Sequence, residues 1–139
     1  MDGNEKNPVA AIERLVHATN SHEVERVVAC FASDYRLESP LHPARSFSGQ
    51  EQVRRNWTQI FAGVPDLQAR LVAHAVEGDT VWTEWEMTGT RRDGKPHGMR
   101  GVFVFGVAGG LIRTGRMFFE PVDDSPADMD SAVRAQVPR

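Results

Sequence analysis

The sequence predicts a single α+β domain in which helices come first and strands follow. Apolar residues recur at helical spacing in the first half of the chain, whereas the second half carries long alternating segments separated by turn signals. Helices at one end and antiparallel hairpins at the other are typical of α+β folds. The length of 139 residues suits one domain that buries its own core.

Three helices are expected in the first half of the chain. They are predicted over residues 8–19, 22–31 and 50–62. Pro8 suits a first helical position, and Ile12 and Leu15 fall on one face of the first helix. A short strand over residues 34–40 separates the second helix from the third, because apolar residues alternate there with charged ones.

Four long strands are expected in the second half. They are predicted over residues 67–76, 80–91, 97–107 and 111–122. Asp93-Gly94 is a strong hairpin signal between the second and the third of these strands. The segment 102–107 is apolar on both faces, so we expect Phe103 and Phe105 to lie on the outer face and to be covered in a homodimer.

Composition argues against several classes of function. A formal net charge of −3 gives no electrostatic reason to bind nucleic acid or an anionic membrane, and no apolar stretch is long enough to span a bilayer. Cys30 is the single cysteine and the polar N-terminus has no signal-like apolar run, so a cytoplasmic protein is expected. No metal-ligand spacing and no phosphate-binding glycine loop occurs, so neither a metal nor a cofactor is expected.

Several short phrases occur in an order that resembles the SnoaL-like proteins of the nuclear transport factor 2-like superfamily. These phrases are Phe61-Ala-Gly-Val-Pro-Asp66, Glu77-Gly-Asp79, Trp85-Glu-Met-Thr-Gly-Thr90, and Val102 to Phe105 followed by Gly110-Leu-Ile112. The resemblance implies a cone-shaped, curved antiparallel sheet wrapped around the three N-terminal helices, which is a cystatin-like α+β roll. It also implies a pocket, homodimers, and a SnoaL-like domain over residues 9–123 between a flexible N-terminus (1–8) and a loosely ordered C-terminal tail (124–139).

The superfamily includes ketosteroid isomerases and limonene epoxide hydrolases, but the carboxylates of both enzymes are missing here. By the resemblance, Ser39 stands where ketosteroid isomerases carry their Asp base, and Val102 stands at their oxyanion-hole Asp. Trp85, Met87 and Met117 stand at the Arg and Asp positions of the epoxide hydrolases. An unassisted serine is far too weak a base at neutral pH, so neither standard mechanism is expected.

An apolar small-molecule ligand is therefore expected in the pocket. By strand parity and the resemblance, the residues that bind it are Leu37, Ser39, Trp85, Met87, Val102, Met117 and Phe119, with Trp57 and Phe61 closing the pocket from the third helix. A pocket with few polar groups suits flat, apolar ligands. The alternative is a closed core, because clusters of aromatic residues and Met usually fill one.

Two polar residues are candidates for catalysis, and the other catalytic residues are unknown. Arg100 shares the parity of Val102 and would hold a carboxylate or enolate oxygen at the pocket mouth, whereas the alternative is a surface arginine or a salt bridge. His42 lies in a loop near the same opening, where it would act as acid or base, whereas the alternative is a histidine without a role. Glu120 is expected on the face opposite Met117, with a structural or dimer role.

These observations support two kinds of function. The first is a cofactor-free isomerase, cyclase or hydrolase that acts on an apolar metabolite. The alternative is a non-catalytic ligand-binding or interaction domain, which the missing carboxylates favour over a standard enzyme of the superfamily.

Overall fold

The helices and strands follow the order that the sequence predicts. The structure is a computed structural model, and it describes residues 7–138. Its helices are α1 (Pro8–Ser21), α2 (Val24–Val28), α3 (Gln50–Gly63) and α4 (Met129–Gln136), and its strands are β1 (Phe31–Glu38), β2 (Phe47–Ser48), β3 (Gln68–Glu77), β4 (Thr80–Thr90), β5 (Pro96–Ala108) and β6 (Leu111–Pro121). One 3-10 turn, Pro43–Arg45, lies between β1 and β2. The predicted α+β class is confirmed.

The first helix is longer than predicted, and both of its ends are capped. Asn7 caps α1 by accepting the backbone N–H of Val9 at 3.1 Å. Residues 1–6 of the predicted flexible N-terminus lie outside the described residues. At the other end His22 adopts a left-handed conformation with φ of 60°, and its N–H bonds to the carbonyl of Thr19. This turn separates the two helices, so α2 does not begin at residue 22 as predicted.

The predicted second helix also ends too late, because the chain joins the sheet earlier than expected. Phe31 and Ala32 are buried and belong to β1, where Phe31 pairs with Ile112 of β6. Helix propensity is a weak preference that such tertiary pairing overrides. As a result, β1 starts three residues before the predicted strand and ends at Glu38.

One six-stranded sheet contains all the strands of residues 7–138, in the order β2-β1-β6-β5-β4-β3. Neighbouring strands run antiparallel except β1 and β6, which are parallel, so the expectation of a wholly antiparallel sheet is wrong at this pair. The hairpin signals in the sequence specify only β3 to β6. The chain between β1 and β6 includes α3 and four strands, which is long enough for a parallel connection.

The sheet curls around α1 and α3 to form an open cone. Ile12 and Leu15 of α1 are buried in the same apolar cluster as Trp85 of β4. Gly101 marks a close approach of β5 and β6, because a Cβ at this position would collide with the carbonyl oxygen of Phe118. The φ of 150° at Gly101 is also one that residues with a side chain rarely adopt.

Two of the phrases shared with SnoaL-like proteins meet where α3 ends. Asp66 accepts the backbone N–H of Thr90 at 2.7 Å. This bond holds the pKa of the Asp66 carboxyl below its usual range. A Cβ on Gly89 would collide with the side chain of Val64 and would lie 2.9 Å from Oδ1 of Asp66. These phrases therefore join the end of α3 to the end of β4, and their role is structural.

The chain continues beyond β6 into a short exposed helix, within the tail that the sequence predicts to be loosely ordered. Asp128 caps α4 by accepting the backbone N–H of Ser131 at 3.0 Å. No side chain of α4 is buried, and Met129 and Val133 are exposed. Among residues 7–138, no helix combines the length and the hydropathy needed to cross a bilayer.

Candidate ligand-binding site

A cavity of about 380 Å³ lies between α1, α3 and the concave face of the sheet. Its deep end is buried and mainly apolar, and it is formed by Leu15, Thr19, Phe31, Tyr35, Trp85 and Phe105. Its mouth carries the exposed and half-buried residues Arg45, Asn56, His97, Glu120 and Pro121. Polar groups are thus concentrated at one end of an otherwise apolar cavity.

The middle of the cavity wall is built by pairs of residues on neighbouring strands. Residues that are directly paired across a sheet lie on the same face. Met87 of β4 pairs with Met99 of β5, and Phe103 of β5 pairs with Met117 of β6. All four line the cavity. The unbranched methionine side chains can adapt their shape to an irregular ligand.

Most of the residues predicted to bind a ligand lie on the cavity wall. The structure places there Leu37, Trp57, Trp85, Met87, Met117 and Phe119. Their arrangement around an open volume favours a pocket over the alternative of a filled core. Contact between these residues and a ligand stays a prediction.

Arg100 and Val102 do not line the cavity, because the parity predicted for β5 is wrong. Trp85 pairs with Gly101, so Gly101 shares the inner face and Val102 is turned outward. Arg100 is exposed, and its Nε lies 3.4 Å from Oε2 of Glu86. The surface salt bridge, which was the alternative for Arg100, is therefore what the structure contains.

Phe103 and Phe105 line the cavity, with their rings stacked 5.3 Å apart. The prediction that both rings lie on the outer face is therefore wrong. Trp82, Val102 and Phe118 lie on that face instead, and 48% of Trp82 is exposed. A homodimer through the outer face stays a prediction.

Ser39 and Phe61 lie behind the cavity wall and not on it. Ser39 is buried, and its Oγ has no hydrogen-bond partner among residues 7–138. Its backbone N–H donates to Oγ of Ser46 at 3.0 Å, which fixes the loop after β1. The ring of Phe61 stacks on His22 with a centroid distance of 4.6 Å and supports Trp57, whose ring is 5.4 Å away. Phe61 therefore supports the wall from behind, through its contact with Trp57.

A buried polar residue of the same strand, Thr83, holds the indole of Trp85 in place. Nε1 of Trp85 donates to Oγ1 of Thr83 at 2.7 Å. The Thr83 hydroxyl in turn donates to the carbonyl oxygen of Phe103 at 2.6 Å. The buried N–H is thus satisfied within the wall, and the ring presents an apolar surface to the cavity.

Tyr35 places a hydroxyl group in the deep end of the cavity. Burial raises the pKa of Tyr35 well above its usual range, so the side chain stays a neutral hydrogen-bond donor. The hydroxyl lies close to Gly115, where a Cβ would be only 2.5 Å away, and it bonds to no residue within 7–138. Tyr35 shares a strand face with Leu37, and this parity is the signal that points to it in the sequence.

His42 and Glu120 form a hydrogen-bonded pair at the cavity mouth. Nε2 of His42 lies 2.6 Å from Oε1 of Glu120, and both side chains are about half-buried. Glu120 pairs with Arg100 of β5 and so has the outward parity that the sequence predicts, and it also borders the cavity mouth, where β6 ends at Pro121. The structural or dimer role expected for Glu120 stays a prediction, and its hydrogen bond to His42 is compatible with a structural role.

Arg45 brings a positive charge to the same mouth. It lies at the end of the turn that follows His42, and its backbone N–H donates to the carbonyl oxygen of His42 at 2.8 Å. Its guanidinium forms no ion pair within residues 7–138, and it lines the cavity. In the same part of the chain, no three His, Cys, Asp or Glu side chains are close enough together to hold a metal ion.

The order of the elements and the cavity agree with the match of the sequence to a known family. The family model described as SnoaL-like domain matches residues 12–114, which is most of the chain. The chain belongs to the SnoaL-like domain family. A comparison with curated proteins found no significant match.

Solved structures with the same fold include proteins that are described as different kinds of enzyme. IdmH of Streptomyces antibioticus, described as a candidate polyketide cyclase, has a TM-score of 0.70 and 22% identity over 83% of this chain and 91% of its own. AclR of Streptomyces galilaeus, described as a candidate hydroxylase, has a TM-score of 0.74 and 15% identity over 92% of both chains. A ketosteroid isomerase-like protein of Catenulispora acidiphila has a TM-score of 0.67 and 15% identity over 76% of this chain and 82% of its own. The SnoaL-like fold is therefore shared by all of these proteins, and the identities are too low to carry a function across.

Proposed function

We propose that the cavity holds a mainly apolar metabolite and that the protein isomerises, cyclises or hydrolyses it without a cofactor. The observation that carries this proposal is a cavity of about 380 Å³ whose buried end is mainly apolar and whose charged and ionisable residues, apart from Tyr35, lie at the mouth. Apolar cavities with a few placed polar groups are typical of small-molecule sites. This arrangement suits a molecule with a hydrocarbon body and one oxygen-bearing end.

The ligand would enter with its apolar part directed toward the deep end. Trp85 and Phe105 offer flat, buried surfaces to that part, while Glu120 and Arg45 remain at the mouth for its polar end. The Tyr35 hydroxyl would give one additional donor inside the cavity. Burial of apolar ligand surface would supply most of the binding free energy, and the few polar groups would fix the orientation.

A second candidate is a binding protein without chemistry. The observation that favours it is the loss of the ionisable residues used by the two well-known enzymes of the superfamily. Ser39 is buried off the cavity wall, and Met117 presents a thioether to the cavity. Neither side chain is able to remove a proton from carbon at neutral pH.

A ligand screen with a cavity-filling variant tests the proposal. The melting temperature of the protein should rise in the presence of flat apolar ketones, because a ligand that binds only the folded state stabilises it. Met117→Trp would fill part of the cavity and should weaken binding by about 10-fold or more, because the displaced ligand loses buried apolar area. Glu84→Trp, on the exposed outer face of β4, is the matched control and should bind like the wild type.

The two variants separate cavity binding from binding at the surface. A ligand that stabilises both variants equally binds elsewhere, and this would contradict the proposal. A screen in which no apolar compound changes the melting temperature of the wild type would also contradict it.

A further inference from the structure

The deep end of the cavity contains a hydroxyl group whose hydrogen no described residue accepts. The hydroxyl of Thr19 donates to the carbonyl oxygen of Leu15 at 2.8 Å, and the indole N–H of Trp85 donates to Thr83 at 2.7 Å. Tyr35 lines the same end and is only 3% exposed, yet its hydroxyl bonds to no residue within 7–138. Buried hydroxyl groups nearly always have a partner, so this exception requires an explanation.

Packing holds the ring of Tyr35 in one place. The centroid of the ring lies 4.6 Å from that of Phe31 and 6.0 Å from that of Phe47. The carbonyl oxygen of Tyr35 accepts the backbone N–H of Gly49 at 2.7 Å, which ties β1 to the start of α3. The hydroxyl oxygen therefore has a fixed position on the wall, and only its hydrogen is free to turn toward a ligand.

Gly115 of β6 leaves the space that the hydroxyl of Tyr35 occupies. A Cβ at this position would lie 2.5 Å from the hydroxyl oxygen and 3.2 Å from Cδ1 of Leu37. Every residue other than glycine carries a Cβ, so any substitution here displaces the hydroxyl group or the strand that carries it. The position of the donor thus depends on a glycine of the neighbouring strand.

The surroundings of this hydroxyl suit a neutral acceptor. Burial raises the pKa of Tyr35, so the hydroxyl keeps its hydrogen. Tyr35 is the only ionisable residue that forms the described deep end, and a ligand carboxylate there would be buried without a counter-charge. A ligand alcohol would bring a hydrogen that itself needs an acceptor, whereas a carbonyl oxygen only accepts.

We propose that Tyr35 is a specificity-determining residue that donates a hydrogen bond to a neutral carbonyl oxygen at the inner end of the ligand. This inference rests on the proposed function, since it requires the ligand to occupy the cavity. The ligand then carries oxygen at both ends of a flat apolar body, one at the mouth and one beside Tyr35. A hydrocarbon at the inner end would bury the hydroxyl without a partner and would bind more weakly.

Calorimetry with a matched pair of ligands measures this preference. The compounds 6-acetyl-2-naphthol and 6-isopropenyl-2-naphthol share one ring system and differ only in carrying C=O or C=CH2. The ratio of their association constants, ketone over alkene, should fall about 10-fold from the wild type to Tyr35→Phe, because Phe keeps the ring and removes only the donor. Thr88→Val, which removes a hydroxyl from the exposed face of β4, should keep the wild-type ratio.

Infrared spectroscopy of the bound ketone detects the hydrogen bond itself. With 13C at the carbonyl group, the C=O stretch should lie at lower frequency in the wild type than in Tyr35→Phe, because a donated hydrogen bond weakens the C=O bond. A tyrosine that only shapes the cavity would change the affinity without changing this frequency.

The stability of the ligand-free protein gives an independent test. Tyr35→Phe removes a buried hydroxyl that has no partner within the described residues, so the melting temperature should stay the same or rise. A clear fall would show that the hydroxyl has a structural partner, and this would overturn the proposal.

Gly115→Ala tests the space beside the hydroxyl. This variant should lower the melting temperature, and its ketone-to-alkene ratio should fall toward that of Tyr35→Phe. Adding Tyr35→Phe to Gly115→Ala should restore part of the melting temperature, because the new methyl group then has the volume that the hydroxyl leaves. A double variant no more stable than Gly115→Ala would contradict the position of the hydroxyl on which the proposal depends.

The binding data separate this inference from the proposed function. If neither naphthol binds the wild type, the proposed function fails and the inference fails with it. If the naphthols bind but Tyr35→Phe changes both affinities equally or changes neither, only the inference is overturned. The same holds if the C=O stretch is identical in the two proteins.

Discussion

At the deep end of the cavity, two hydrogen bonds in series fix the orientation of Trp85. The indole N–H donates to Thr83, and the Thr83 hydroxyl donates to the carbonyl oxygen of Phe103. All the atoms involved lie in or next to the buried wall, so water is poorly placed to replace either bond. The shape of the apolar wall therefore depends on one small polar side chain.

Replacing this side chain tests its role. Thr83→Val keeps the shape but removes the hydroxyl, which leaves the Trp85 N–H and the Phe103 carbonyl without that partner. We expect the free energy of unfolding in urea to fall by about 1–3 kcal/mol. Thr88→Val, at an exposed position of the same strand, should change it by less than about 0.5 kcal/mol. An equal effect in both variants would contradict the account of the Trp85 bonds.

At this scale the sequence predicts wall residues better than it predicts their polar partners. Alternation along a strand is enough to place Leu37, Trp85 and Met87 on the inner face. It does not predict the hydrogen bond between His42 and Glu120. The loop after β1 and the end of β6 come together only because these two strands are neighbours in the sheet. The sequence indicates each residue separately, but their contact depends on the fold.

At the scale of elements, one residue in a hairpin loop decides which face of β5 lines the cavity. A two-residue turn at Asp93-Gly94 would pair Trp85 with Val102. The loop instead closes with the N–H of Arg91 bonded to Lys95, which adds one residue and pairs Trp85 with Gly101. A slip of one residue turns every side chain of a strand to the other face.

Because β5 is apolar on both faces, its sequence does not indicate which face lines the cavity. Between residues 102 and 107 both faces carry Val or Phe, so hydrophobic alternation does not distinguish them. The sequence predicts Val102 on the inner face and Phe103 on the outer face, whereas the structure has the reverse. The length of the loop between β4 and β5 determines which face it is, and that length depends on the backbone conformation of the loop.

The link between α3 and β4 makes stability depend on pH. The backbone N–H of Thr90 bonds to the Asp66 carboxylate and lowers its pKa in the folded protein. A carboxyl with a lowered folded pKa contributes stability above the unfolded value of about 3.9, and this contribution is lost as the pH falls through the folded pKa.

Asp66→Asn should therefore destabilise the protein at neutral pH, and the difference from the wild type should shrink below about pH 4. Urea unfolding across this pH range measures the effect. Asp124→Asn, an exposed carboxyl without such a bond, should show no pH-dependent difference. If Asp66→Asn lowers the free energy of unfolding by the same amount at all pH values, the lowered pKa of Asp66 does not contribute to the stability of the folded protein.

At the scale of the whole molecule, the order of helices and hairpins predicts the α+β cone, and the family match agrees with it. The parallel pairing of β1 with β6 is not predictable from local signals, since the two strands lie at opposite ends of the folded domain in sequence. This pairing brings the loop after β1 to the rim where β6 ends. The polar mouth of the cavity is therefore a consequence of the long-range topology.

Methyl NMR of methionine-labelled protein tests most directly whether an apolar ligand occupies the cone. Met87, Met99 and Met117 line the cavity from three neighbouring strands, whereas Met129 is exposed on α4. Addition of a ketone that binds should shift the methyl signals of the three cavity residues and leave Met129 unchanged. Binding that leaves these three signals in place, or that shifts only Met129, would contradict the claim that the cavity is the ligand site.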